Sequence, residues 1–208
     1  MKILIIGASR GTGLLCVQQA LDLGHEVTAF ARHPEQIQIN HPRLQKMRGD
    51  FHDQASIAGA VPGHDTVIIT AALPTMEYKK QPDFFSRGTR LVIEAMRRAG
   101  SRRIVILSNF AAGDGMRLLN PVMQFLIKIV LKEAVDDHTL QEQLARDSGL
   151  EWSVARPTRL SNAASSGKYE TKLGKKVSRP ISRADVANFL VTAATTDKWL
   201  GMTVNLGG

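Results

Sequence analysis

The first thirteen residues constrain the fold most. Lys2-Ile3-Leu4-Ile5-Ile6 is an aliphatic, β-branched run that reads as a buried strand, Gly7-Ala8-Ser9-Arg10-Gly11-Thr12-Gly13 is a glycine-rich loop, and Leu14, Val17 and Leu21 then recur at helical spacing. A strand that turns straight into a helix leaves the first helical N–H groups unpaired and aims the positive end of the helix dipole at the turn. Such a turn suits an anion, above all the pyrophosphate of a dinucleotide. Glycine is needed where the chain leaves the strand, where backbone approaches phosphate, and where helix packs on strand. Gly7, Gly11 and Gly13 stand at those places, spaced Gly-x-x-x-Gly-x-Gly rather than Gly-x-Gly-x-x-Gly.

The 208 residues, 43% of them hydrophobic, suffice for one good core, so a single domain over 1–208 is expected. The strongest apolar run, Val122 to Leu131, is short and contains Lys128. It does not span a bilayer, and no membrane partner is expected. The first strand begins at once, so no signal peptide and a cytoplasmic location are expected. Cys16, the only cysteine, falls in the first helix and reads as packing filler. The six histidines show no ligand spacing, and no metal is expected.

The net charge of +8 points to anionic partners. The basic residues, among them Arg97, Arg98, Arg102, Arg103, Lys172, Lys175, Lys176 and Arg179, are dispersed and lack interleaved aromatics. A solvated basic surface is expected, not a nucleic-acid site.

Glu26 to Phe30 reads as the second strand, with Arg32 just beyond it. In dinucleotide folds an acid at this position binds the adenosine ribose, whereas an arginine pairs with a 2′-phosphate. Phe30-Ala31-Arg32-His33 has no carboxylate, and Arg10 in the glycine loop adds a second cation. NADP(H) is therefore expected over NAD(H).

Leu44 to Arg48 reads as a polar edge strand ending at Gly49-Asp50-Phe51, with Asp50 either capping the next helix or meeting the adenine; a short helix then covers Ser56 to Ala60. Asp65 to Thr70 reads as a central strand, and the small Ala71 and Ala72 leave room at its carboxyl end. Leu73 to Gln81 is a loop, and Pro82-Asp83 opens a helix that Gly100 ends, with Arg97 and Arg98 complementing its dipole. Arg103 to Leu107 is a further buried strand, and Ser108-Asn109 follow at its carboxyl end.

Asn120-Pro121 predicts a capped start to one long helix running to Ser148. Within it, His138 faces the crevice or is a solvated surface histidine, the second being favoured, and the adjacent Asp136 and Asp137 read as surface charge and not as a catalytic pair. Leu150 to Ala155 is a strand broken by Arg156-Pro157. The polar stretch from Thr158 to Pro180 has no helical repeat and reads as a substrate-side flap or a surface excursion. Ser182-Arg183-Ala184-Asp185 is a capping box for a last helix, and Thr203 to Leu206 closes the sheet. Alternating strands and helices predict an α/β, Rossmann-like, doubly wound and mostly parallel sheet, with its ligand crevice at the strands' carboxyl ends.

The loop from Gly7 to Gly13, Arg32, Gly49-Asp50, Ser108, the Lys132 to Asp137 segment, Ser148-Gly149-Leu150-Glu151-Trp152, Arg156-Pro157 and Ser182 to Ala187 together resemble the atypical short-chain dehydrogenase/reductases. The nearest group is the NAD(P)H-binding proteins similar to biliverdin reductase B, a flavin reductase. The resemblance implies that Gly7, Ser9, Gly11, Thr12 and Gly13 hold the pyrophosphate, with Arg10 and Arg32 near the 2′-phosphate. It places Asp50 and Phe51 at the adenine and Ala71, Ala72 and Leu73 along the ribose. Ser108 and Asn109 would sit at the nicotinamide, whose carboxamide Pro157, Thr158 and Arg159 would support.

One departure bears on chemistry. Tyrosine-dependent members use Tyr-x-x-x-Lys, the lysine lowering the tyrosine pKa for proton donation. Here Lys132 takes the lysine position, but Lys128 stands where the tyrosine belongs, and the two tyrosines, Tyr78 and Tyr169, lie elsewhere. Ser108 and Lys132 are thus the remaining catalytic candidates. Two functions fit: a reductase passing hydride to a flavin or quinone, which needs little protein acid, or a non-catalytic NADP(H) sensor. A monomer or weak homodimer is expected.

Overall fold

The computed structural model describes all 208 residues. Strand β1 (Lys2–Ile6), helix α1 (Gly11–Asp22), β2 (Glu26–Ala31), β3 (Leu44–Arg48), α2 (Gln54–Ala60), β4 (Thr66–Ile69), α3 (Phe84–Ala99) and β5 (Arg103–Leu107) form the first half. The second comprises α4 (Pro121–Val130), α5 (Lys132–Arg146), β6 (Glu151–Pro157), β7 (Leu160–Ser161), β8 (Glu170–Lys172), β9 (Ile181–Ser182), α6 (Arg183–Thr195) and β10 (Met202–Gly207). Eight strands make one sheet in the order β3-β2-β1-β4-β5-β6-β10-β8, parallel except where β8 pairs with β10. This is the Rossmann-like, doubly wound α/β fold that the alternating pattern predicts.

Side chains on a strand alternate between faces, and the central strand β1 is apolar on both. Ile3 and Ile5 pack with α1 and α6, while Leu4 and Ile6 pack with α2 and α3 in a second core. The chain winds outward from β1 through β2 to β3, then crosses back to place β4 on the other side of β1. That reversal opens a crevice at the carboxyl ends of β1 and β4.

Several expectations are corrected. The region from Asn120 to Ser148 is two helices, because the chain leaves helical geometry at Leu131 (φ −124°). Asn120 does cap α4, accepting from Met123 N–H, and no residue of α4 is buried. His138 is buried, stacked on Phe85 with ring centroids 3.7 Å apart, and its Nδ1 meets Gln141 Oε1. Burial lowers its pKa, against the opposing pull of the Gln141 hydrogen bond, so the ring is held neutral.

Asp137 is buried too. Its carboxylate accepts from Phe85 and Ser86 N–H at 2.6 and 3.0 Å, capping α3 from α5, whereas Asp83 makes no side-chain cap. Asp136 stays exposed. The cap of α2 is Asp53, accepting from Ala55 and Ser56 N–H, and not Asp50, which accepts from His52 N–H. Arg97 reaches across to donate to Ser148 O, and Arg103 is buried against Glu151 and Asp197 instead of being solvated.

The polar stretch from Thr158 to Pro180 is anchored at both ends. Its β7 pairs with β9, and its β8 adds the eighth strand to the sheet edge. Between them the Asp185 carboxylate accepts from the Ser165 and Ser166 hydroxyls and from Ser166 and Gly167 N–H, which fastens the loop to the start of α6. Cys16 is buried packing filler, as expected.

Candidate functional site

Helix α1 starts at Gly11 with no side-chain cap and no acid in its first turn, so its leading N–H groups remain open. Gly7 leaves β1 at φ +86°, and a Cβ there would lie 2.7 Å from Ala71 backbone. A Cβ on Gly13 would collide with Gly7 O, which is how closely α1 packs on the strand. Gly11 also takes a positive φ, +55°. Gly7 and Gly13 meet two of the needs read from the sequence, the exit from the strand and the packing of helix on strand.

Around this loop lies a cavity of about 810 Å³. Gly7, Ser9, Arg10, Gly11 and Thr12 form its floor with Ala71, Ala72 and Leu73, while Arg32, Asp50 and Phe51 line the side at the ends of β2 and β3. Its size falls within the range of about 300–1,000 Å³ usual for ligand sites. Gly13 supports this group from behind.

The other predicted residues lie outside the lining. Ser108 is buried with its hydroxyl turned to donate to Glu142 Oε1 at 2.7 Å. Asn109 turns back on its own loop, its Oδ1 accepting from Ala111 N–H. Pro157 is buried, Thr158 Oγ1 donates to Arg179 O, and Arg159 is exposed. Lys132 is exposed and pairs with Asp136 one turn along α5, so its ammonium is spent on the surface and not in the crevice. Neither tyrosine lines the cavity.

Two groups of residues were missed. Arg183, at the first turn of α6, lines the cavity beside Gly11, and its Nη1 donates to Asn162 Oδ1 at 2.7 Å. Its place directly after the Ser182 cap was the available signal. With Arg10 and Arg32 it makes three arginines around the cavity, and none of the three is ion-paired with a carboxylate.

The second group is a buried cluster behind Ser108. Glu142 is fully buried; Oε1 accepts from Ser108 and Arg156, and Oε2 from Arg156 and Arg146. Arg156 Nη1 also reaches Asp114 at 2.5 Å. Hydrogen bonding from Arg156, against partial burial, holds the Asp114 carboxyl below its usual range. An arginine inside a buried strand signals such a partner, because a buried charge must be paired.

Residues 7–197 match the family described as NAD(P)H-binding. The chain belongs to that family. A 3-beta-hydroxysteroid dehydrogenase of Mycolicibacterium neoaurum is 32% identical over 57% of this chain, a match that spans only 35% of that relative. A (4-alkanoyl-5-oxo-2,5-dihydrofuran-3-yl)methyl phosphate reductase of Streptomyces griseus is 29% identical over 78% of the chain and 50% of the relative. Among solved structures, ChuY, an anaerobilin reductase of Escherichia coli O157:H7, superposes with a TM-score of 0.82 at 23% identity, over 100% of this chain and 97% of its own. A short-chain dehydrogenase/reductase of Veillonella parvula in complex with NADP gives 0.82 at 18%, over 100% and 94%. These likenesses carry the fold alone, a Rossmann-like one.

Proposed function

We propose that this protein is an NADPH-dependent reductase whose acceptor is a planar molecule such as a flavin or quinone. The observation that carries the reading is the set of three arginines without carboxylate partners, Arg10, Arg32 and Arg183, around a cavity floored by the glycine loop. Open N–H groups and three guanidinium groups fit a pyrophosphate together with a 2′-phosphate. The lack of an acid at the end of β2 favours NADP(H) over NAD(H). The likeness to the Streptomyces griseus reductase and to ChuY favours reduction as the direction of transfer.

NADPH, when bound, supplies a hydride and leaves as NADP⁺; the acceptor gains that hydride's two electrons and takes its second proton from water. The protein's part is to hold the cofactor and to leave the space over Ala71 and Ala72 clear for a flat acceptor. No tyrosine reaches the cavity to donate a proton, which suits acceptors that need none from the protein. The same lack favours a second reading, a non-catalytic sensor of NADP(H), in which the two redox forms bind with different free energies.

Steady-state NADPH oxidation with FMN, riboflavin and a series of quinones tests the reading. Oxidation above the free-solution rate with at least one acceptor is expected. Oxidation at the background rate with every acceptor, together with unequal affinities for NADPH and NADP⁺, would leave the sensor instead.

A further inference from the structure

Helix α4 shows a feature that the cofactor site does not use. Val122, Met123, Phe125, Leu126, Ile129 and Val130 are 42% to 68% exposed, and no residue of the helix is buried. Val122, Phe125, Leu126, Ile129 and Val130 fall at i, i+3, i+4, i+7 and i+8, so they form one continuous stripe. Ten residues rich in Val, Ile and Phe make a weak helix in water, where isolated helices below about 12–15 residues are marginal. A stripe of this kind is stabilised when something covers it.

Charge and area together indicate the cover. From Gly115 to Lys132 the chain carries Arg117, Lys128 and Lys132 and no acid. Arg117 and Lys128 are exposed and have no ion-pair partner. A second copy docked through this helix would bring these cations towards their own equivalents. A ten-residue helix is about 15 Å long and about 10 Å wide, so one face offers on the order of a few hundred Å², short of the roughly 800 Å² per partner of a stable interface. An anionic lipid surface has neither drawback, since it takes the apolar stripe at the acyl boundary and the cations among the phosphates.

We propose that α4 docks this protein on anionic membranes, lying in the plane of the interface. This does not depend on the reductase reading. No helix of the protein is long and apolar enough to cross a membrane, so the attachment is peripheral and reversible. The sequence weighed only a spanning segment, which is why it led to no membrane partner.

Flotation of the purified chain with phosphatidylcholine vesicles, and with vesicles holding about a third phosphatidylglycerol, tests the proposal. Binding to the anionic vesicles is expected, falling about fivefold for each cation lost in Arg117→Gln and Lys128→Gln and falling steeply with salt. Phe125→Ser with Ile129→Ser should abolish binding and leave the thermal midpoint unchanged, because both side chains are solvent-exposed. In Phe125→Trp, brominated acyl chains should quench the new fluorescence, which locates the stripe directly. Absence of binding to anionic vesicles, or binding indifferent to the serine pair, overturns the proposal. So does a dimer in sedimentation velocity that the serine pair dissociates, since a second copy would then be the cover.

Discussion

Ser108 Oγ donates to Glu142 Oε1 at 2.7 Å, and Arg156 Nε donates to the same oxygen at 2.8 Å. The Ser108 proton is therefore committed to a buried carboxylate and is not presented to the cavity. Ser108→Ala should keep cofactor affinity and lose less than about a hundredfold in turnover, below the 10²–10⁴-fold that general acid catalysis contributes. A ten-thousandfold loss with binding intact would show a proton relay through this residue. Glu142→Gln leaves Arg156 with Asp114 as its one anionic partner and should cost about 1.5–3 kcal/mol, the worth of a charge-assisted hydrogen bond, read from denaturant unfolding.

The start of α6 is the site of a pH-dependent contribution. Burial pushes the Asp185 carboxyl up, but hydrogen bonds from Ser165, Ser166 and Ser182 outweigh it and bring the pKa from 3.8 to about 2. A folded pKa below the unfolded one gives stability that is full above 3.8 and is lost as the pH falls towards 2. Asp185→Asn should cost up to about 2.5 kcal/mol at neutral pH, by the conversion of about 1.4 kcal/mol per pKa unit. The gap between variant and wild type should close in acid melts, and hydrogen exchange of residues 165–167 should rise at neutral pH. A gap that persists at pH 2 would contradict this account.

Asp137 joins α5 to α3 through the N–H groups of Phe85 and Ser86. Asp137→Ala removes a helix cap and leaves two buried donors, so a loss of roughly 2 kcal/mol or more is expected in chemical denaturation. A loss under about half a kcal/mol would mean that water replaces the carboxylate.

The difference between what was legible and what was not has a physical basis. Gly7, Gly11 and Gly13 could be read because backbone geometry demands glycine there, and the strands because continuous apolar, β-branched runs report burial on both faces. Asp137 and His138 were misread because local helical periodicity does not reveal which polar side chains a neighbouring helix covers. The break at Leu131 had no Gly or Pro to announce it. Arg183 and Asn162 meet only because β7, β9 and α6 bring distant segments to the glycine loop, a relation that no local pattern carries.

Arg183 provides a contrast within the cavity. It sits beside Gly11, where a pyrophosphate would lie, so Arg183→Met should weaken NADPH and NADH alike, by about one to two decades for a lost charge-assisted contact. A loss confined to NADPH would move Arg183 to the 2′-phosphate instead.

Calorimetric affinities of the wild type and Arg32→Ala for NADPH and NADH test the central claim most directly. Arg32 lies at the end of β2, lines the cavity and has no acidic partner. The account predicts that Arg32→Ala weakens NADPH by about tenfold to a hundredfold and leaves NADH within about twofold, as expected when one charge-assisted phosphate contact is removed. Equal weakening of both cofactors, or a wild-type preference for NADH, would contradict it.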